Sequence, residues 1–284
     1  MKLPERKALL TKLESFFKRM LAPVGKRKLR QMVEDGFPAD FHSPLLLLLT
    51  GSSDPNEQAI FEKIDAIRKS VNGATVGVLQ GIREAGGNRN VRVVTRNLQY
   101  LESVASVPGY WGAFLHRCAN AARARIILEL GCCLGISGCY LASGRFCERF
   151  ITIEGSNDLA EIAQANLRQI TQRFRIIPAL FEEGLNEVLP SLPEGLDLVH
   201  IDGDHNEEMT LHYFERILPH LHPGSLVLFD DIHYSPDMWN AWNKIAGWKG
   251  AAYSVDVGRY GMILWRGESC EPKVYDLSRF AREW

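Results

Sequence analysis

Residues 125–137 read R-I-I-L-E-L-G-C-C-L-G-I-S, and the next apolar run, Phe150 to Ile153, ends in Glu154. Ile126, Ile127, Leu128 and Leu130 form a short continuous apolar run, the pattern of a strand buried on both faces. Gly131 and Gly135 open a turn, and a helix is expected to follow at once. Small residues let the backbone of such a turn approach a ligand, and the free N–H groups of the helix face the same point. A carboxylate at the end of the second strand can accept both hydroxyls of a ribose. Together these features read as a nucleoside site at the carboxyl edge of a parallel sheet. The dinucleotide pattern G-x-G-x-x-G is absent, and taken alone the loop is equally an ordinary strand-turn-helix.

Outward from this stretch, strands and helices alternate. A helix is expected over Asn157–Thr171, then strands at Phe174–Ile177, Leu196–Ile201 and Ser225–Phe229, with an amphipathic helix over Met209–Leu221. Pro236 opens a further helix carrying Trp239 and Trp242, and Tyr253–Val257 with Tyr260–Trp265 read as an antiparallel hairpin around Gly258. Such alternation implies right-handed crossovers and a parallel sheet covered on both faces. Upstream, Leu9 to Leu21 fall at helical spacing, with Pro23 and Gly25 as the stop. A second helix starts at Asp54-Pro55, Gly86-Gly87-Asn88 is a turn, and Val91–Val94 is a short strand. Another helix, over Tyr100–Ala122, is interrupted at Pro108-Gly109. The expected organisation is a mainly helical extension over 1–106, a catalytic domain over 107–267 and a tail over 268–284.

Composition bounds the function. Across 284 residues, 33 basic and 34 acidic side chains nearly cancel, which argues against a broad nucleic-acid-binding face. The one dense basic run, Lys26 to Arg30, reads as a solvated helix face. Leu45–Leu49 is too short to span a bilayer and no leader pattern begins the chain, so a cytoplasmic protein without a membrane partner is expected. None of the six cysteines stands in a C-x-x-C pair, and free thiols are expected.

The E-x-G-x-x-x-G loop from Glu129 to Gly135, followed by Glu154, resembles the class I S-adenosylmethionine-dependent methyltransferases. That resemblance implies a Rossmann-like α/β fold with a seven-stranded, mostly parallel sheet closed by a C-terminal antiparallel hairpin. It implies S-adenosylmethionine as cofactor, held by Glu129, Gly131, Cys132, Gly135, Ser137, Glu154, Gly155 and Asp202. The turn P-A-L-F-E-E-G-L after the third strand stands where this fold meets adenine; there Phe181 would cover the ring and Glu182 reach its amino group, unless both are surface or core. Tyr110, Trp111 and His116 either line a substrate mouth or pack in the core.

Two acidic clusters, Asp202-Gly203-Asp204-His205 and Asp230-Asp231-Ile232-His233, end adjacent strands on the same edge. Carboxylates so gathered repel unless a cation or protons compensate them. Oxygen ligands without cysteine favour magnesium or another hard divalent ion. The clusters resemble those of the metal-dependent catechol and caffeoyl-coenzyme-A O-methyltransferases, which implies Asp202, Asp230 and Asp231 as ligands. His205 stands for the lysine base of those enzymes, with Asp204 in reserve, and Asp231 stands for their asparagine. The other reading has Asp202 or Asp204 at the cofactor's amino group and Asp230 and Asp231 capping a helix. The expected activity is O-methylation of a small molecule, with a homodimer open to the chain. The alternatives are metal-independent N- or O-methylation, or a non-catalytic module that engages a partner through its extension.

Overall fold

A computed structural model describes residues 22–51, 54–83, 89–267 and 269–281, with side chains throughout except at 80–83 and 89–91. Helices α1 (22–34), α2 (His42–Thr50) and α3 (Pro55–Lys69) lead into an antiparallel hairpin, β1 (Thr75–Arg83) and β2 (Arg89–Asn97). Helices α4 (Leu98–Ala105) and α5 (Gly109–Ala121) then feed the alternating part of the chain. It runs β3 (Ile126–Leu130), α6 (Ile136–Ala142), β4 (Arg149–Glu154), α7 (Asn157–Arg168), β5 (Phe174–Pro178) and α8 (Phe181–Val188). It continues with β6 (Leu196–Ile201), α9 (Glu207–Ile217), β7 (Leu221–Phe229) and α10 (Pro236–Ala246). Strands β8 (Ala251–Asp256), β9 (Gly261–Trp265) and β10 (Lys273–Asp276) close it.

The main sheet has the order β10-β8-β9-β7-β6-β3-β4-β5. Strands β3 to β7 are parallel, and β9 runs antiparallel to both β7 and β8. Strand order reverses between β3 and β6, so the ligand crevice lies outside their carboxyl ends. Three of the helices that leave the strand ends start on capping side chains. Ser156, Asn206 and Ser235 accept from the N–H groups of Leu159, Met209 and Met238, opening α7, α9 and α10. Each cap is worth about 1 kcal/mol and fixes where its loop turns.

The sheet thus has the expected parallel order and hairpin, with an eighth strand added. β10 comes from the tail, pairs parallel with β8, and is too short and exposed to carry a readable pattern. Apolar cores cover both faces. Leu29, Leu45 and Leu48 of the N-terminal helices join Phe114, Leu141, Tyr253 and Leu277 on one side; Leu185, Phe214 and Ile245 lie on the other.

Pro23 and Gly25 do not end a helix but lie inside α1. A Cβ on Gly25 would sit 2.8 Å from Leu49 Cδ2 and 3.0 Å from Phe280 Cβ, so glycine is what lets α1 approach its neighbours. The helix expected over Leu9–Leu21 and the turn at Gly86–Asn88 lie outside the described residues. Lys26, Arg27 and Arg30 are exposed, as a solvated face requires. Val91–Val94 belongs to the longer β2, whose partner β1 the sequence reading lacked. Among the described residues no helix is long and apolar enough to cross a membrane, and the six cysteines are free.

Candidate active site

The turn after β3 is built from residues that only small or glycine-like backbones satisfy. Gly131 has φ +85°, and a Cβ there would lie 2.0 Å from the carbonyl oxygen of Asp202. Gly135, at φ +76°, would press a Cβ onto Ala163 at 3.0 Å. Between them Cys133 takes φ +47° and turns its N–H toward Glu154 Oε2 at 2.9 Å, while Ser156 N–H donates to Oε1 at 2.9 Å. Burial raises the Glu154 pKa, and the N–H groups of Ser156, Cys133 and Cys132 pull against that rise. Gly155, beside it, faces Leu79 of the β1 hairpin, whose Cδ1 a Cβ would meet at 3.1 Å.

Behind the turn, Glu129 is fully buried in β3. Its Oε1 lies 3.1 Å from His200 Nδ1, while Oε2 has no hydrogen-bond partner. A Cβ on Gly138 would stand 3.2 Å from that oxygen, which therefore abuts the first turn of α6. An orphaned buried carboxylate oxygen calls for a polar group that is not protein. Cys132 and Ser137 are buried in the same turn and helix. Phe181, at the start of α8, reaches across the gap. Its ring would meet Cβ atoms placed on Gly203 at 2.5 Å and on Gly131 at 3.4 Å. Glu182 turns away, bonded to His212 Nε2 at 2.9 Å and to Arg216, so it fastens α8 to α9 instead of reaching adenine. A cradle of small residues, an orphaned acid and a strand-end acid together fit S-adenosylmethionine.

Trp111 and His116 are buried core residues and line no mouth. His116 bonds Ser143 Oγ at 2.8 Å and Asn120 Nδ2 at 2.9 Å, and Trp111 packs edge-on against Phe114 and Tyr260.

On the β6–β7 side the three aspartates come together without forming the expected ligand set. Asp230 is buried, and Arg259 grips it with Nε 2.7 Å from Oδ1 and Nη2 2.6 Å from Oδ2. Asp231 N–H donates to the same Oδ1 at 2.9 Å. Asp231 Oδ1 lies 3.7 Å from Arg259 Nη2. Burial, with the Asp230 charge next in weight, raises the proton affinity of both Asp202 and Asp231. The Arg259 guanidinium supplies compensating positive charge at this edge. Among the described residues no group of three or more His, Cys, Asp or Glu is arranged to hold a metal ion. The divalent-ion expectation for Asp202, Asp230 and Asp231 does not fit this geometry, because both oxygens of Asp230 are taken by the arginine fork.

His205 stands beside these acids, its Nε2 3.6 Å from Asp202 Oδ1 and its ring 5.7 Å from that of Tyr234. Its Nδ1 is buried without a partner. Asp204 accepts from Tyr213 OH at 2.8 Å. Among the described non-glycine residues five have positive φ, and four of them, Cys133, Asp204, His205 and Asp231, border this edge. Backbone strain gathered at one place is a mark of functional sites.

The sequence does not mark Arg259, and it places His233 in the second acidic cluster without a role; the His233 Nε2 lies 2.9 Å from Asp256 Oδ2 and its ring stacks on Trp239. Both border an open pocket of about 490 Å³ with Asp231, Tyr234, Gly258 and Ser278. The available signal was register: β9 beside β7 pairs Gly261 with Phe229, which carries residues 259 and 260 alongside 230 and 231.

Residues 128–232 match the family model described as a methyltransferase domain. A catechol O-methyltransferase of Mycobacterium tuberculosis is 32% identical over 133 residues, 45% of this chain and 57% of that one. An uncharacterised protein of Acanthamoeba polyphaga mimivirus is 26% identical over 120 residues, 38% of this chain and 52% of its own. The chain thus spans about half the length of these two curated relatives. Among solved structures, an O-methyltransferase from Bacillus cereus in complex with SAH superposes with a TM-score of 0.51 at 19% identity, covering 77% of this chain and 93% of that one. That likeness shows the fold.

Proposed function

We propose that this chain, which carries a methyltransferase domain over residues 128–232 on the class I methyltransferase fold, moves a methyl group from S-adenosylmethionine to an oxygen of a small molecule. The observation that carries the reading is Glu154, held at the end of β4 beside the Gly131–Gly135 turn, with the unpartnered Oε2 of Glu129 behind it. When bound, the cofactor supplies an already activated methyl group. The chain's own residues have then to bind, align, exclude water and take one proton.

Glu154 would accept hydrogen bonds from the ribose hydroxyls, and Glu129 would accept from the ammonium of the amino-acid end, which would give its free oxygen a partner. Gly131, Gly135, Cys132, Ser137 and Gly155 would let the backbone close on the ligand, and Phe181 would cover its ring. His205 receives the acceptor's proton at Nε2. Asp202, 3.6 Å away, steadies the imidazolium, and Asp204 is already engaged by Tyr213, which leaves His205 the better placed base. No step runs through a metal ion, because Asp230, central among the residues expected to hold one, is committed to Arg259. A small acceptor is favoured by the likeness to the mycobacterial catechol O-methyltransferase and by the near-cancelling charge of 33 basic and 34 acidic side chains.

The test is transfer of labelled methyl to a panel of phenols, catechols, hydroxy acids and amines. Turnover on a hydroxyl that falls by ~10²- to 10⁴-fold in His205→Ala, with cofactor affinity kept, supports the reading. A cofactor-bound chain that methylates only amines overturns it.

A further inference from the structure

Arg259 sits in the turn joining β8 to β9, and that turn is fixed on every side. Gly258 takes φ +97° and donates its N–H to Asp256 Oδ1 at 2.8 Å. Val257 N–H reaches Tyr260 O at 3.0 Å, and Ile232 N–H reaches Arg259 O at 3.3 Å, so the turn is tied to itself and to the loop after β7. The antiparallel register of β9 on β7 anchors it from below. The guanidinium is thus presented by a scaffold. Its side chain is 23% exposed, and that of Asp230, which it grips through two parallel hydrogen bonds, is 0% exposed.

We infer that Arg259 is the resident cation of the acidic edge, its guanidinium filling the charge position at which a divalent ion would otherwise bridge Asp202, Asp230 and Asp231. A magnesium-like ion needs near-octahedral oxygen ligation, and the Asp230 oxygens it would use are already bonded to the arginine. An arginine cannot shed its proton to make room. The replacement changes the chemistry of the edge. A guanidinium offers one charge and no open coordination position, so it does not activate an acceptor oxygen; it keeps Asp230 aligned and holds residues 230–233 against the hairpin. Arg259 is a positioning residue. Burial, with the Asp230 charge next, makes Asp202 and Asp231 hold protons more readily, and the Arg259 charge works against that rise.

The inference concerns the edge where methyl transfer is proposed, but its readout is metal uptake, so either can fail without the other. Mn²⁺ binding by the full chain is followed by water-proton relaxation and by thermal melting. The native chain should take up no stoichiometric Mn²⁺ and show no shift in melting temperature. Arg259→Gln should bind one Mn²⁺ about tenfold tighter or better than the native chain, and Asp230→Asn added to it should abolish that site. If Arg259→Gln is too unstable to stay folded alone, Mn²⁺ should raise its melting temperature or restore its folding, because an ion that binds only the native state stabilises it. Stoichiometric Mn²⁺ in the native chain that is lost in Asp230→Asn overturns the inference. So does an Arg259→Gln chain that neither binds Mn²⁺ nor gains stability from it.

Discussion

Glu154 and Asp230 each stand at the carboxyl end of a parallel strand with a buried carboxyl group, but their partners come from very different distances along the chain. Glu154 is met by the N–H groups of Cys133 and Ser156, which lie in its own strand-turn-helix unit and the neighbouring one. Asp230 is met by a side chain 29 residues further on, delivered by the hairpin turn. The β3–β4 side is therefore a preformed backbone cradle, suited to a ligand that brings its own charge and hydroxyls. The β6–β7 side is a charge cluster that the fold neutralises for itself.

This contrast is sharpest in stability. Removing Arg259 leaves Asp230 buried without its counter-charge, so Arg259→Ala should cost about 3–5 kcal/mol in urea unfolding. The same substitution in an Asp230→Asn background should cost clearly less, and equal costs would show that the pair is not coupled. On the catalytic side, His205→Ala should lower turnover by ~10²- to 10⁴-fold, and His233→Ala by much less. A larger loss in His233→Ala would move the base to the His233–Asp256 pair and redraw the acceptor side.

Smaller effects separate the two halves further. Gly131→Ala forces a left-handed backbone on a residue with a Cβ, costing roughly 1–2 kcal/mol before the clash with the Asp202 carbonyl is counted. It should also weaken cofactor binding, whereas Arg259→Lys should leave binding nearly intact. The smallest effect expected is a pH slope. Because the folded Asp202 holds its proton above the unfolded carboxyl pKa of ~3.9, the native state binds more protons than the unfolded state in that window. Its contribution to stability therefore falls as pH rises from that value through the folded pKa. Asp202→Asn should remove this slope and be more stable than the native chain on its alkaline side; a steeper slope in the variant would reverse the sign of the argument.

What the sequence revealed follows the same division. The β3 run, the two glycines and Glu154 are neighbours along the chain or one crossover apart, so period and turn chemistry sufficed to place them. The fold class followed from the alternation of strand and helix, and the antiparallel hairpin from Tyr253 to Trp265. Arg259 and Asp256 were out of reach because nothing local marks an arginine in a surface turn as the partner of a buried acid. Only the register of β9 on β7 does so. Glu182 misled for the opposite reason: its position after β5 suggested adenine, while His212 and Arg216 of α9, some 30 residues on, hold it elsewhere. Gly25 read as a helix stop and proved to be a close-packing position, a distinction that depends on Leu49 and Phe280.

The most direct measurement is titration calorimetry of S-adenosylhomocysteine into the native chain and into Glu154→Ala, with circular dichroism confirming that both are folded. The expected result is one site in the native chain and an affinity weakened on the order of tenfold or more in the variant, the loss of one or more strong hydrogen bonds to a charged acceptor. Equal affinities in the two chains, or no binding by the native chain, would contradict a nucleoside site at the end of β4.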